Sequence, residues 1–174
     1  AVALVLNGEH GPLRRALSSL GAQATAADPW LALTSALAHI EVGDLRTARA
    51  DLRQARRCWP SPDTADLRVL RAVAERFAAP PGGEAVASSV ATRVGELPTE
   101  PQLQALARLG RGSALLLERD DRAGARADLA AALVLARRHG FDHLAMQCLV
   151  LLGVIAGTSG DLRTMRVVST EALA

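Results

Sequence analysis

The chain has 174 residues, 49% of them hydrophobic and 22% charged, which is the balance of an ordinary folded protein and excludes a disordered chain. Only 2% are aromatic, while Ala, Leu and Arg dominate, the residues that lose least on entering a helix, so the composition predicts an all-α fold. The net charge of +2 comes from 20 basic residues, all Arg and none Lys, interleaved with 18 acidic ones; so even a balance is no phosphate-binding footprint.

Taken in order, Ala1 to Leu6 reads as the end of a helix already under way, which suggests an excised fragment of a longer chain. It has no basic flank and is too short to span a membrane, so neither a signal peptide nor an anchor is read there and a cytoplasmic protein is expected. Gly8-Glu9-His10-Gly11-Pro12 predicts a turn, followed by a helix with Leu13, Ala16, Leu17 and Leu20 as its apolar stripe. Asp28-Pro29 has the chemistry of a cap plus first-turn proline and opens a helix from Trp30 to Val42. After Gly43-Asp44 the partner helix runs from Leu45 to Trp59 and stops at Pro60, with Ala36, Ala48 and Ala55 as small contact residues and Leu52 between them. Arg46, Arg49, Arg53 and Arg56 form a stripe expected to face solvent, screened by Asp44 and Asp51.

The next helix follows Ser61-Pro62 and ends near Ala78; Pro80-Pro81-Gly82-Gly83 breaks it, and Glu84 to Val94 is expected to be the least stable helix. Thr99-Glu100-Pro101-Gln102 has the form of a capping box, in front of a helix to about Arg119. Further helices are predicted from Arg122 to His139, from Asp142 to Thr158 and from Leu162 to the end, with Leu149, Leu152, Gly153 and Ala156 facing Met165 and Ala172.

Two duplications set the frame. Gly-Asp-Leu-Arg-Thr stands at 43–47 and again at 160–164, and Ala-Arg-Ala-Asp-Leu at 48–52 and again at 125–129. These offsets, 117 and 77 residues, divide into steps of about 40, the signature of stacked supersecondary units. The expected architecture is a helical solenoid of about four hairpins behind a truncated N-terminal repeat, one domain over residues 1–174.

Leu149…Leu152-Gly153…Gly160-Asp161 resembles the first helix of a tetratricopeptide repeat, and Gly43…Ala48…Leu52…Ala55…Pro60 resembles its second helix with the closing proline. With Asp28 to Leu33 and Ala132 to Gly140, nearly the whole chain is similar to the helical sensor region of MalT-like, LuxR-type bacterial transcription regulators. The Arg-only, Ala-rich composition fits a GC-rich, actinobacterial genome. The resemblance implies a module that accepts a small-molecule inducer or a protein or peptide and controls self-association, with ATP and DNA handled by domains outside this chain. The alternative is a general protein-interaction scaffold from another signalling protein.

The residues give no catalytic constellation. His139 and His143 are four apart, but Gly140 and Asp142 break the helix between them, so no metal pair is expected, and no cofactor. His39 and Cys58 lie on neighbouring helices with no orienting acid in view, Cys58 and Cys148 read as buried thiols, and an enzyme is not expected. One candidate surface remains. Gln104, Arg108 and Arg111 recur at i, i+4, i+7 on a first helix, with Gln147 on the next such helix, and first helices line the concave side of a solenoid. These groups suit an anionic or peptide-like ligand, with Trp30 and Leu33 as an apolar wall; the alternative is a solvated flank, and for Trp30 a staple between repeats.

Overall fold

The computed structural model of the protein describes residues 2–79 and 98–173. Among them are ten helices and no strand: α1 (Val2–Leu6), α2 (His10–Leu20), α3 (Ala22–Ala27), α4 (Pro29–Glu41), α5 (Leu45–Arg57), α6 (Ala65–Ala78), α7 (Pro101–Glu118), α8 (Arg122–His139), α9 (Asp142–Thr158) and α10 (Leu162–Ala172). None of these helices is long and apolar enough to cross a membrane. The breaker at Pro80 to Gly83 and the weak helix expected from Glu84 to Val94 lie outside the described residues.

The duplicated turn is built the same way twice. Gly43 and Gly160 sit at φ of +77° and +73°, a left-handed conformation that costs a residue with a Cβ about 1 kcal/mol or more. Asp44 N–H donates to His39 O and Asp161 N–H to Ala156 O, both at 2.9 Å, closing the helices before them. Each aspartate then caps the next helix, accepting from Thr47 N at 3.1 Å and Thr164 N at 3.0 Å. Asp121 does the same for α8, accepting from Gly124 N at 2.9 Å, and Asp28 for α4, accepting from Trp30 N at 2.8 Å.

Four local expectations differ from the structure. The capping box at Thr99 does not form: a proline pushes its predecessor into extended backbone, so Glu100 (φ −68°, ψ 122°) takes the cap position without a side-chain hydrogen bond. α2 begins at His10, taking Gly11 and Pro12 into its first turn rather than leaving them in a loop. Gly21, at φ +83°, ends α2, and the extra helix α3 follows. α5 ends at Arg57, two residues before Trp59.

The hairpins α4/α5, α7/α8 and α9/α10 are the most closely packed pairs, together with α8 against α9. The first helices of these hairpins pack side by side with α6 in the order α4, α6, α7, α9, while α5 lies against α4 and α6, and α8 against α7 and α9. Two layers follow, with the core between them: Leu33, Ala36, Leu70, Val73, Leu103 and Leu109 from the first helices, and Leu52, Ala55, Leu129 and Ala132 from the second.

Curvature of the first-helix layer decides where the ends lie. Packed helices stand 8–10 Å apart, so a flat row of four would separate α4 from α9 by about 25–30 Å. Yet Glu41, the last residue of α4, meets His143, near the start of α9, with 2.9 Å between Oε2 and Nε2. The layer therefore curls until its first and last helices are joined through side chains. α1 packs against α4, α7 and α9 and, among the described residues, against none of α5, α8 and α10, so it lies on the inner side of the curl. Val2, Val5 and Leu6 of α1 are all buried there.

Candidate functional site

Three polar constellations lie along the first-helix layer. In the first, the expected surface pair Arg108 and Arg111 of α7 turns towards the second-helix layer and grips Asp128 of α8. Arg111 Nε and a terminal nitrogen donate to the two carboxylate oxygens at 2.5 Å each, and Arg108 adds a longer contact of 3.4 Å. Asp128 is only 5% exposed, and its bonds, ahead of the opposing effect of burial, hold the Arg111 guanidinium above its already high ordinary pKa. Arg111 is thus occupied within its own hairpin, while Arg108 makes only the longer contact and keeps its Nε buried without a hydrogen-bond partner. Gln104 is half-buried on the same helix, Trp30 packs half-buried on the core as a staple would, and Leu33 is 0% exposed, so it offers no wall to a ligand.

The second constellation lines a cleft of about 500 Å³ where α2 and α3 approach α4 and α5. Asp51 of α5 accepts from Ser35 Oγ at 2.8 Å and meets His39 Nδ1 at 3.0 Å, both from α4, with Arg14, Thr25 and Gln54 on the rim. His39 therefore does have an orienting acid, contrary to the sequence reading, but Cys58 is not its partner, since the Cys58 thiol donates to Gln54 O at 3.3 Å. A nucleophilic relay needs the serine on one imidazole nitrogen and the acid on the other. Here Nδ1 faces both, and the serine donates to the carboxylate, so the trio fixes side chains and generates no nucleophile.

The third constellation is the seam that closes the curl. His143 Nε2 meets Glu41 Oε2 at 2.9 Å, and Gln147, one turn on, donates Nε2 to both Glu41 oxygens at 3.0 and 3.2 Å. His10 of α2 stands edge-on to His143, ring centroids 5.5 Å apart. Gly8, with φ of +72°, lets the α1–α2 turn approach so closely that a Cβ there would lie 3.3 Å from His143 Cβ and Cγ. Burial alone would push the Glu41 carboxyl up, but its bonds to His143 and Gln147 outweigh that and hold it below its ordinary value. The same bond to Glu41, against the effect of burial, raises His143 above its ordinary value. Gln147, predicted as a ligand reader, is thus engaged in the seam, away from Arg108 and Arg111.

His139 stacks on Phe141, with centroids 5.8 Å apart, and takes no part in the seam. Besides Gln147 on its own helix, His143 meets His10 of α2 and Glu41 of α4, both more than 100 residues upstream. Burial pushes the Cys148 thiol up to about 12, which leaves it un-ionised at neutral pH.

No known protein family, no curated protein and no solved structure matches the chain in comparisons of sequence and fold.

Proposed function

We propose that the chain is a TPR-like superhelical interaction module, the sensor or scaffold region of a LuxR-type transcription regulator, which takes up a partner segment or effector and passes the event on by self-association or partner binding. What supports the TPR-like reading is the turn repeated with identical hydrogen bonding 117 residues apart and the two-layer order of first and second helices. The regulator reading rests on the sequence resemblance. The alternative, a general scaffold of another signalling protein, shares the same binding chemistry.

The observation that carries the binding reading is the seating of α1. A short apolar helix lies on the inner side of the curl against α4, α7 and α9 and buries Val2, Val5 and Leu6. A hollow that accepts such a segment from its own chain has the shape and apolar lining to accept a similar one from a partner. Residues 1–8, supplied as a labelled peptide to a chain lacking them, should bind saturably, and the peptide carrying Val5→Asp should not. Val5→Asp in the intact chain should speed amide exchange in α1 while leaving α4, α7 and α9 protected. Cooperative unfolding of the whole chain in that variant would make α1 an ordinary core element and overturn the reading.

A further inference from the structure

We propose that the seam is a binding site for a divalent transition-metal ion, zinc foremost, with His10, Glu41 and His143 as its ligands. One ligand atom from each residue lies within 4.8 Å of the other two, the only such His, Cys, Asp or Glu group among the described residues. A tetrahedral zinc with bonds of about 2.0–2.1 Å holds its ligands about 3.3 Å apart. The Glu41–His143 separation of 2.9 Å is close to that edge already, and the remaining closure falls to His10.

A second, independent observation concerns His10 itself. Its Nδ1 is buried and has no hydrogen-bond partner, a polar atom without compensation on a ring that stands beside a carboxylate and a second imidazole. Two imidazoles and one carboxylate suit zinc, nickel or copper and discriminate against magnesium and calcium, which take oxygen ligands. Three protein ligands leave one position of a tetrahedron for water or a group of an incoming molecule. Gln147 donates to both oxygens of Glu41 and its Nε2 also lies 3.1 Å from His143 Nε2; moved off that nitrogen by a bound ion, it would hold the carboxylate as outer partners of metal-bound carboxylates do.

The three ligands come from α2, α4 and α9, so a bound ion clasps the N-terminal segment to both ends of the first-helix layer. The ion would hold the curl closed over α1, and the site does not depend on which partner the hollow accepts.

The four histidines provide their own control, two inside the site and two outside it. The intact chain, freed of metal with a chelator, is titrated with zinc against a chromophoric competitor, and with cobalt to read coordination from its visible spectrum. One ion per chain, the intense visible bands of four-coordinate cobalt and a zinc-dependent rise in Tm are expected. His10→Ala and His143→Ala should each weaken binding by more than about a hundredfold, beyond what loss of an outer partner costs, while His39→Ala and His139→Ala leave it unchanged. Helicity by circular dichroism accompanies each variant; if His143→Ala does not fold, His10→Ala decides, because its Nδ1 makes no bond to lose. Absence of stoichiometric binding in the parent chain, or binding that survives His10→Ala, overturns the proposal.

Discussion

Asp51 and Asp128 occupy the same place in the two copies of Ala-Arg-Ala-Asp-Leu, 77 residues apart, and each reaches from a second helix back to the first helix of its own hairpin. Asp51 ties Ser35 and His39; Asp128 ties Arg108 and Arg111. The partners differ while the anchoring position is kept. Removing Asp128 would leave two half-buried guanidinium groups without their acid, so Asp128→Ala should destabilise by about 2–4 kcal/mol, towards the lower end because the arginines retain some water. Urea unfolding checks this; a loss below about 0.5 kcal/mol would show that the pair contributes little.

Two glycines should fail for different reasons. A Cβ on Gly160 meets nothing within 4 Å, so Gly160→Val costs only the strain of φ +73°, about 1–2 kcal/mol, and Gly160→Asn should recover much of it. A Cβ on Gly112 would lie 2.8 Å from Leu129 Cγ and 3.3 Å from Ala125 O across the α7–α8 contact, so Gly112→Ala should cost about 1–3 kcal/mol by overpacking. Because the closest clashes are with the Leu129 side chain, Gly112→Ala combined with Leu129→Ala should cost less than the two changes added. Strict additivity in thermal unfolding would place the strain elsewhere.

What the sequence reveals here follows from how local each feature is. Turn glycines, aspartate caps and closing prolines act within a few residues, and the hairpins from Asp28 to Arg57 and from Arg122 to Ala172 are legible from them. Asp51 reads from the sequence as a surface acid screening the arginines, wrongly: half-buried, it lies three residues after Ala48 and four before Ala55, beside the buried face, and ties Ser35 and His39. Arg49 leaves the expected solvated stripe for Ala78 O at 2.9 Å, whereas Arg46, Arg53 and Arg56 stay exposed, Arg56 while donating to Glu75 at 2.8 Å. The seam at His10, Glu41 and His143 was not legible. It depends on rotations accumulated across four helices, and no spacing along the chain encodes that sum.

Glu75 gives the fold a dependence on acid. It lies buried between Arg71 Nε at 2.7 Å and Arg56 at 2.8 Å; burial pushes its carboxyl up, but the two arginines prevail and hold it below the ordinary value of 4.5. A depressed folded-state pKa contributes stability that is fully present above the unfolded value and is lost as pH falls through the folded one. Glu75→Gln should therefore cost about 1–2 kcal/mol at pH 7, and the gap to the parent should narrow as pH falls below about 4.5. Urea midpoints at pH 7 and pH 3.5 measure the gap; an unchanged difference would mean that the carboxylate charge is not what α5 and α6 share.

Exposed apolar surface was expected at both ends of the array; of the large residues in the α2 stripe only Leu20 stays exposed, at 53%, while α10 carries the broader apolar surface. Leu13 and Leu17 are buried where α2 packs on α4, so Leu13→Ala should destabilise by about 2–4 kcal/mol and leave association untouched. At the other end α10 buries none of its residues fully, with Leu162 67%, Val167 59% and the following Leu173 90% exposed, while Val168 packs on α9. An apolar face of that kind gains by covering itself, and a second copy of the chain presents the same face. The chain should therefore self-associate weakly through α10. Sedimentation equilibrium should show a monomer–dimer exchange that Leu162→Asp and Val167→Asp together abolish without changing helicity. A monomer at the highest attainable concentration, or a dimer indifferent to those changes, would remove α10 from the contact.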